Sequence, residues 1–581
     1  MSILENAITL HQQGNALEAE SLYRQLLADN PDNTDLLHLL TISLLDQGQY
    51  LEAKILIQKA IQIHRSVVYL ETLAEIQSLM GHFEEAIQTY IDALALDPNE
   101  PSLYYKLANT LQNAGKLEES IEIYSEALRI RPDFTEAYFA RGSSGMILCR
   151  YKEALEDFQQ AIILNPNFAE AYVNMGLVNQ DQGLLDQALF FYQIALSINP
   201  RQIDALLNMS GVHIRQGHYD KALDLLQQLL NLAPELVEAY ANLGVLYYEQ
   251  GQFAEALKYF DHALTLDPNH VNAHWNRSHV WLKQGNFIKG WPDHEWRWLL
   301  QFAKPVNIDK PDWNGSPQPD ATIMVYAEGG YGDTFQFYRF LPWLKKQCRR
   351  VIFYCQPGTT SLFKQCSVCD EVIEQGNPLP DFDYKVPIMS LAYLAQTTLE
   401  TIPQDVPYIQ ADPKLVQDWQ TFFSAYSGPK IGLVWSGSVT NPNGYSRSFD
   451  VAQLEPLKQF QNFHFFSLQK GPNALTDHST IIDLNERLTD FHQTAAAIQN
   501  LDLVISVDTS VAHLAGALKR PVYLLLHYVS EWRWLQNRPD SPWYPTLRIF
   551  RQHTHSDWTS VIADVCQALA SDQGVSQGIS G

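Results

Sequence analysis

Prolines that end helical stretches recur at a spacing of 34 residues over much of this 581-residue chain. Seventeen residues before each proline stands a turn residue, which is glycine except at Cys149. In most units an alanine follows five residues after the turn, and an aromatic residue four residues later. The prolines are Pro98, Pro132, Pro166, Pro200, Pro234 and Pro268. A period this regular predicts a solenoid of stacked helical pairs.

The amino-acid composition excludes several kinds of partner and of protein. The chain carries 65 Asp and Glu against 40 Lys and Arg, a formal net charge of −25. Binding to nucleic acid or anionic lipid needs dense positive charge, so neither is expected as the main partner. Six cysteines in so long a chain do not predict a disulfide framework. No stretch approaches the roughly 20 apolar residues of a membrane span, and we expect a cytoplasmic protein.

The period, the small residues and the prolines resemble tetratricopeptide repeats, over about eight units from Met1 to Asp267. A ninth unit begins at Val271 but runs into Trp291, Trp296 and Trp298 instead of a standard second helix. We therefore predict an α-solenoid over residues 1–300 that is capped, or docks onto something, at its end.

Four asparagines occupy the same position in the first helices of successive repeats: Asn174, Asn208, Asn242 and Asn276. A ladder of amides on an inner surface can bind the backbone of an extended polypeptide, because an amide offers both donor and acceptor. Alternatively, asparagine is common at this position because it bonds within the solenoid. The row is a candidate acceptor-binding site under the first interpretation only.

After the solenoid, residues 301–321 have the proline-rich composition of a linker. Beyond it, short apolar runs alternate with helical stretches, which predicts a parallel α/β sheet. The runs that indicate buried strands are 322–327, 351–354, 431–435, 463–467, 501–506 and 521–525. A fresh strand opens after Gly428, so we predict two Rossmann-like halves, residues 322–427 and 428–570, with a cleft between them. The small, polar residues 571–581 are expected to form a disordered tail.

Two strand-to-helix turns carry candidate chemistry. In the first turn, glycines stand at 329, 330 and 332, next to Asp333. The Asp333 side chain either points into the cleft or only caps the following helix. In the second, Asp508, Thr509 and Ser510 lie between a buried strand and a helix whose free amides suit a diphosphate. His513 lies in the first turn of that helix.

These two turns, at residues 330–334 and 508–517, resemble glycosyltransferase family 9, the ADP-heptose lipopolysaccharide heptosyltransferases and their relatives. The resemblance implies a two-domain, GT-B-like fold whose first half holds the acceptor and whose second half holds the nucleotide sugar. It implies that Asp333 is the general base and that Asp508, Thr509 and His513 match the donor-binding turn of the family. Ser510 is a donor-binding candidate because it stands at the start of the helix. His513 is the second candidate catalytic residue, placed to donate to a phosphate oxygen or to the leaving group.

The family normally has a cation near the donor phosphates, in the loop after the first strand of the second half. Arg447 is the candidate for this role, and Lys470 is a second one. The basic residue that many heptosyltransferases carry in the first loop is missing here, where Glu328 and Tyr331 stand. This departure puts heptose in question as the transferred sugar.

Neither a metal nor a cofactor is expected beside the nucleotide-sugar co-substrate. Asp381 and Asp383 have the Asp-x-Asp spacing of metal-dependent sugar transferases, but they follow a proline-rich surface turn. Among the four cysteines from 348 to 369 only one pair has metal-like spacing. Fixed cations and amides can stabilise the leaving diphosphate of an inverting transfer, while a base activates the acceptor hydroxyl.

Repeats joined to such a region are also similar in domain order to the O-linked N-acetylglucosamine transferases, whose repeat superhelix carries an asparagine ladder. The prediction is therefore a nucleotide-sugar-dependent glycosyltransferase that modifies a protein or peptide held along the solenoid, by metal-independent inverting transfer. Two alternatives stay open: transfer to a lipid or polysaccharide, and a non-catalytic scaffold that binds proteins.

Overall fold

The computed structural model describes residues 2–300, 308–438, 447–471 and 480–578. The chain forms two compact units, Met1–Pro234 and Glu235–Gly581. The first unit consists of helices that pack in consecutive pairs. They are α1 (Ile3–Gln12), α2 (Ala16–Asp29), α3 (Thr34–Asp46), α4 (Tyr50–Ile63), α5 (Val67–Leu79), α6 (Phe83–Leu94), α7 (Pro101–Asn113), α8 (Leu117–Ile130), α9 (Thr135–Ile147), α10 (Tyr151–Leu164), α11 (Ala169–Asp181), α12 (Leu185–Ile198), α13 (Ile203–Arg215) and α14 (Tyr219–Leu232).

The turn inside each helical pair explains the spaced glycines. Gly81 and Gly183, for example, have φ angles of 76° and 77°, a left-handed conformation that a side chain disfavours. Cys149 adopts the same region with φ 58°. The predicted aromatic positions are buried between the helices, as at Tyr192, which is fully inaccessible. A Cβ on Gly176 would lie 2.3 Å from that ring, so the first helix of the pair needs glycine there.

The second unit begins with the last repeat helices, which are α15 (Val237–Glu249), α16 (Phe253–Leu266), α17 (Val271–Lys283) and α18 (Phe287–His294). A short 3-10 turn, Glu295–Leu299, follows α18. Phe287 and Trp291 are buried in the core of the α/β region. The Trp291 indole N–H donates to the Thr397 carbonyl (3.0 Å), and the Phe287 ring stacks on Trp543 with centroids 5.8 Å apart. Of the two alternatives predicted for the ninth unit, capping and docking, the structure shows docking.

Two parallel sheets follow within the described residues. The first has the strand order β3-β2-β1-β4, and the second has the order β10-β9-β8-β5-β6-β7. The strands are β1 (Gln318–Tyr326), β2 (Cys348–Cys355), β3 (Glu371–Glu374), β4 (Tyr384–Pro387), β5 (Lys430–Val434), β6 (His464–Ser467), β7 (Ile481–Asp483), β8 (Leu503–Val507), β9 (Val522–Leu526) and β10 (Leu547–Arg551). The six predicted strands correspond to β1, β2, β5, β6, β8 and β9. We call the region around the first sheet the first half and the region around the second sheet the second half.

Helices connect and cover these strands. They are α19 (Tyr331–Phe337), α20 (Leu341–Lys345), α21 (Thr360–Lys364), α22 (Ser390–Leu394), α23 (Pro413–Phe423), α24 (Phe491–Gln499), α25 (Ser510–Ala517) and α26 (Trp558–Gly578). All the described strand pairs are parallel, and in the central pair of the first sheet Ile323 of β1 faces Val351 of β2. The predicted fold class, an α-solenoid followed by an α/β region with two parallel sheets, is confirmed.

The domain limits in the structure differ in detail from the sequence-based ones. The predicted solenoid spans residues 1–300, whereas α15 to α18 form one compact unit with the α/β region. Residues 318–321 of the predicted linker lie in β1, and residues 301–307 are outside the described part of the chain. In the predicted tail, residues 571–578 continue the backbone of α26.

Candidate active site

The first candidate turn connects β1 to α19. Gly329 has a φ of 67°, and the backbone N–H of Gly330 donates to Asp333 Oδ2 at 2.7 Å. A Cβ on Gly329 would lie 2.6 Å from the same oxygen, so the turn closes tightly around this carboxylate. Asp333 therefore does cap the turn at the start of α19, as one of the two sequence interpretations proposed.

The other carboxylate oxygen of Asp333 has a partner in the second half. Asp333 Oδ1 accepts from the guanidinium of Arg533, which lies in a 3-10 turn between β9 and β10. Arg533 is 7% exposed, and it also donates to Glu531 and, through Nε at 2.7 Å, to Gln336 of α19. This buried cation links the first turn to the second half, and sequence reasoning did not identify it.

The second candidate turn connects β8 to α25. Asp508 is 3% exposed, and its Oδ1 lies 3.7 Å from His513 Nε2. Burial by itself raises the pKa of Asp508, but His513, Arg447 and Trp534 outweigh it and hold this pKa well below its ordinary value. Asp508 Oδ2 is buried, and the indole N–H of Trp534 acts on this carboxylate.

Thr509 and Ser510 complete this turn. Thr509 is the residue before α25 and its hydroxyl lies 3.1 Å from that of Ser506, while Ser510 is the first residue of the helix. Both are partly exposed. The start of α25 thus offers hydroxyls and amides beside the carboxylate of Asp508, as predicted from the sequence.

His513 lies where the two turns meet. Its Nδ1 is 2.9 Å from the hydroxyl of Tyr544, and its ring lies 5.0 Å from that of Trp534. Gly332 of α19 faces the other side of the ring, because a Cβ on Gly332 would be 2.9 Å from His513 Cδ2. The glycine of the first turn therefore permits the close packing of α19 against α25, and it brings Asp333 and His513 into one site.

This packing predicts a specific effect of Gly332→Ala. The added methyl group overlaps the His513 ring, and such overpacking costs about 1–3 kcal/mol. We expect the melting temperature of the full chain to fall by roughly 2–6 °C. Gly330→Ala is the matched control, since a Cβ there would approach only Asp333 Oδ2, at 3.5 Å. Equal melting temperatures for the two variants would contradict the packing described here.

The two candidate cations differ in their burial and their contacts. Arg447 has a buried Nε without a hydrogen-bond partner, packed beside Gly437 at the end of β5, and its charge acts on the pKa of Asp508. Lys470 is exposed and donates to the carbonyl of Asn485 at 2.7 Å. Arg447 thus lies near the second turn, while the described contact of Lys470 is with a backbone carbonyl elsewhere.

The four asparagines are half-buried on the first helices of their repeats. Asn174 donates to the hydroxyl of Ser143 in the preceding repeat at 3.2 Å, which is the bonding expected of a structural amide. The compact units separate the row, with Asn174 and Asn208 in the first and Asn242 and Asn276 in the second.

The residues weighed as metal ligands have other partners. Asp381 is exposed and pairs with Lys310 at 2.9 Å, and Asp383 accepts from the backbone N–H of Thr322 at 2.7 Å. The cysteines are free thiols, and burial raises the pKa of Cys369 to about 12. In the described ranges, no cluster of three or more His, Cys, Asp or Glu residues is arranged to hold a metal ion.

Glu328 also has a structural partner. Both of its carboxylate oxygens accept from the guanidinium of Arg297, at 2.8 and 2.9 Å, in a buried pair. Arg297 belongs to the segment that ends the repeats. The acidic residue found where many heptosyltransferases carry a cation therefore attaches the end of the repeats to the first sheet.

Known protein families match both the repeat region and the α/β region of the chain. Tetratricopeptide repeat profiles match residues 10–76, 79–115, 101–134, 150–183, 179–244 and 237–270. The profile of glycosyltransferase family 9 (heptosyltransferase) matches residues 477–561, which include β8, α25 and Arg533. The chain therefore combines tetratricopeptide repeats with a segment of the family 9 type.

Individual relatives cover parts of the chain. Protein FlbA of Caulobacter vibrioides is 26% identical over an alignment of 315 residues that covers 48% of this chain and 52% of FlbA, so the match spans about half of that relative. A tetratricopeptide repeat protein from Parabacteroides merdae is 18% identical and covers 42% of this chain and 98% of its own, with a TM-score of 0.37. Yeast Tom70 is 20% identical, with coverages of 46% and 59% and a TM-score of 0.37. None of the described helices is long and apolar enough to cross a membrane.

Proposed function

We propose that this protein is a glycosyltransferase that moves a sugar from a nucleotide-sugar donor to a protein or peptide acceptor held by the solenoid, by metal-independent inverting transfer. The observation that supports it most is the meeting of the two turns. Asp333 of the first half and the Asp508-to-His513 turn of the second half lie against each other, at the carboxyl ends of β1 and β8, where open parallel sheets bind ligands. The family 9 match to residues 477–561 covers the second of these turns.

In this proposal the donor lies on the second half. The first amides of α25, with Thr509 and Ser510, receive the diphosphate, because a helix N-terminus favours anions. Arg447 contributes a fixed positive charge from the end of β5. Lys470 stays a weaker candidate. Together these groups would stabilise the diphosphate as it leaves with the electrons of the broken sugar–phosphate bond.

Asp333 is the proposed base. Its carboxylate is held from two sides by the Gly330 N–H and by Arg533, which fixes its direction while each oxygen keeps a further lone pair. The acceptor hydroxyl would give its proton to Asp333 as it attacks the sugar carbon from the face opposite the diphosphate. His513, near Asp508 and Tyr544, would donate to the departing phosphate.

A panel of nucleotide sugars tests this proposal, each assayed for thermal stabilisation of the full chain and for slow donor hydrolysis. A donor that binds the folded protein raises its melting temperature by mass action. We expect one donor class to do so equally with and without EDTA. Stabilisation by no donor would contradict the proposed function. Loss of activity in EDTA, restored by a divalent ion, would contradict the metal-independent mechanism. Asp381 and Asp383 would then be the candidate metal ligands.

A non-catalytic binding module is the second candidate, and one observation favours it. Both oxygens of Asp333 already accept hydrogen bonds, one of them from a buried arginine, as in a structural ion pair. A protein of this kind would bind a nucleotide sugar, or a protein partner, without turnover. The same panel separates the two candidates, because donor binding without hydrolysis or transfer supports the module. If the acceptor is a lipid or a polysaccharide, substitutions in the solenoid should leave the transfer rate unchanged.

The role of the solenoid is tested by replacing Asn174, Asn208, Asn242 and Asn276 with alanine. If the row binds acceptor backbone, several hydrogen bonds worth roughly 0.5–1.5 kcal/mol each are lost. We expect the acceptor KM, measured with a library of Ser- and Thr-containing peptides, to rise by about tenfold or more, with donor hydrolysis unchanged.

The control for this variant is a triple replacement of Gln159, Gln193 and Gln227 by alanine. These glutamines are exposed and share the 34-residue spacing, but they lie on the second helices. A lower melting temperature with an unchanged acceptor KM in the asparagine variant would indicate that the row is structural, as the bond of Asn174 to Ser143 suggests. The protein-acceptor form of the proposal would then fail.

A further inference from the structure

Lys283, the last residue of the repeat helix α17, reaches into the second half of the α/β region. Its side chain is 3% exposed, and its ammonium group donates to the backbone carbonyl of Ser530 and lies 3.4 Å from the Ser530 hydroxyl. Ser530 follows β9, on the side of the second sheet where the strands end. A residue of the solenoid therefore lies at the ligand-binding edge of the sheet.

A second cation shares this position. Arg551, at the end of β10, donates to the Ser530 hydroxyl at 2.6 Å and to the Trp534 carbonyl at 2.6 Å, and its Nε is buried without a partner. The described acceptors of Lys283 and Arg551 are thus neutral oxygens. Two buried cations side by side are costly unless an anion compensates them.

The nearby carboxylates do not offset the burial of these two cations. Burial is the main cause that lowers the pKa of Lys283 to about 7, and the charge of Arg551 is the second. The carboxylates of Glu249, Glu531 and Asp508 act in the opposite direction. Burial likewise lowers the pKa of Arg551 to about 10. An anion that bound here would favour the charged form of both groups.

Unpartnered polar atoms surround the same place. His527 Nδ1, like Arg551 Nε, is buried without a hydrogen-bond partner. The electrostatic effect of Lys283 extends to His527, whose pKa is lowered to about 4 mainly by burial. Buried polar groups are nearly always satisfied in folded proteins, so the unpartnered Arg551 Nε points to a ligand that supplies acceptors.

An open cavity of about 430 Å³ lies beside Lys283, lined also by Gln284, Leu535, Gln536, Arg538 and Asp540. Leu535 in this loop has a φ angle of 49°, in the left-handed region that a leucine rarely adopts. Such conformations are costly and cluster at ligand sites. The cavity gives a ligand at Lys283 a route to solvent.

We propose that Lys283, supplied by the repeat helix α17, is a donor-binding residue that holds the diphosphate of the nucleotide sugar together with Arg551. This inference rests on the proposed function, and it extends the donor site beyond the family 9 segment. A lysine ammonium has three donors, of which Ser530 occupies two, and it binds phosphate as a point charge. The solenoid then completes the donor site in addition to any role in holding the acceptor.

The test compares Lys283→Met with Lys289→Met in the full chain. Lys289, on α18, is exposed and stacks over Trp281 at 4.4 Å, so it controls for loss of one repeat lysine. The probes are UDP, GDP, ADP and CDP, their parent nucleosides, and inorganic pyrophosphate, measured by titration calorimetry. We expect Lys283→Met to weaken binding of the preferred nucleoside diphosphate by roughly 10- to 100-fold and that of its nucleoside by less than about threefold. Lys289→Met should match the wild type.

A second measurement needs no variant. Amine acylation of Lys283 in the wild-type chain, followed by mass spectrometry, should fall when the nucleoside diphosphate is added, while acylation of Lys289 stays constant. Unchanged diphosphate affinity in Lys283→Met, or unprotected Lys283, overturns the proposal. A wild type that binds pyrophosphate through Lys283 but no nucleotide supports the anion site and contradicts the nucleotide-sugar function. A wild type that binds neither probe overturns both.

Discussion

Asp333→Asn is expected to lower sugar transfer by about 10²-fold or more, because an amide cannot accept the proton of the acceptor hydroxyl. Donor affinity should stay within about threefold of wild type, since Asp333 belongs to the first half and the donor-binding groups belong to the second. The asparagine oxygen can still accept from the Gly330 N–H or from Arg533, so the turn retains one of its two hydrogen bonds. Single-turnover transfer and donor titration on the same preparation measure the two effects separately.

Asp381→Asn is the matched control for this variant. Asp381 is also a carboxylate of the first half, but it is exposed and its described partner is Lys310. Its replacement should leave both turnover and donor affinity unchanged. If Asp333→Asn also turns over at the wild-type rate, Asp333 is a helix cap and an ion-pair partner, and the proton must go elsewhere.

Arg533→Met is expected to have the largest effect on stability. The substitution leaves three acceptors without their donor: Asp333, Glu531 and Gln336. Removing one member of a buried ion pair costs about 3–5 kcal/mol, and we expect the lower end of this range because Asp333 and Glu531 are partly exposed. Amide hydrogen exchange in α19 and in the turn that carries Arg533 should become roughly 10²- to 10³-fold faster. Local exchange is the appropriate measurement, since it reports the opening of the elements that Arg533 connects.

Arg538→Met provides the comparison. Arg538 lies five residues further along the same connection and pairs with Asp540 at 2.7 Å, but both side chains are partly exposed. Exposed pairs contribute about 0–1 kcal/mol, so exchange in α19 should hardly change. Similar exchange rates in the two arginine variants would show that Arg533 does not hold the two halves of the α/β region together.

The solenoid and the central strands could be predicted because their determinants are local. Most repeats place a glycine, an alanine, an aromatic residue and a proline at fixed positions, and similar contacts recur between their helices. The predicted strands β1, β5, β8 and β9 are nearly continuous apolar runs, since parallel strands in the middle of a sheet are buried on both faces.

The strands that sequence reasoning missed are all at sheet edges. They are β3, β4, β7 and β10, which begin or end the two strand orders. Edge strands are paired on one side and partly exposed, so they are short and tolerate charged residues such as Glu371, Lys385 and Arg548. Their pairing becomes visible only when the neighbouring strand is in place.

Some features of the candidate site could likewise be predicted from the sequence, and others could not. The amino-acid sequence alone determined the repeat architecture, the α/β class and the two turns around Asp333 and Asp508, because glycines, carboxylates and hydroxyls at strand ends form local patterns. Only the tertiary structure decided that Arg533 bonds to Asp333, 200 residues away, and that Lys283 bonds to Ser530, 247 residues away. A buried cation has no sequence pattern of its own, since burial depends on which distant elements pack around it.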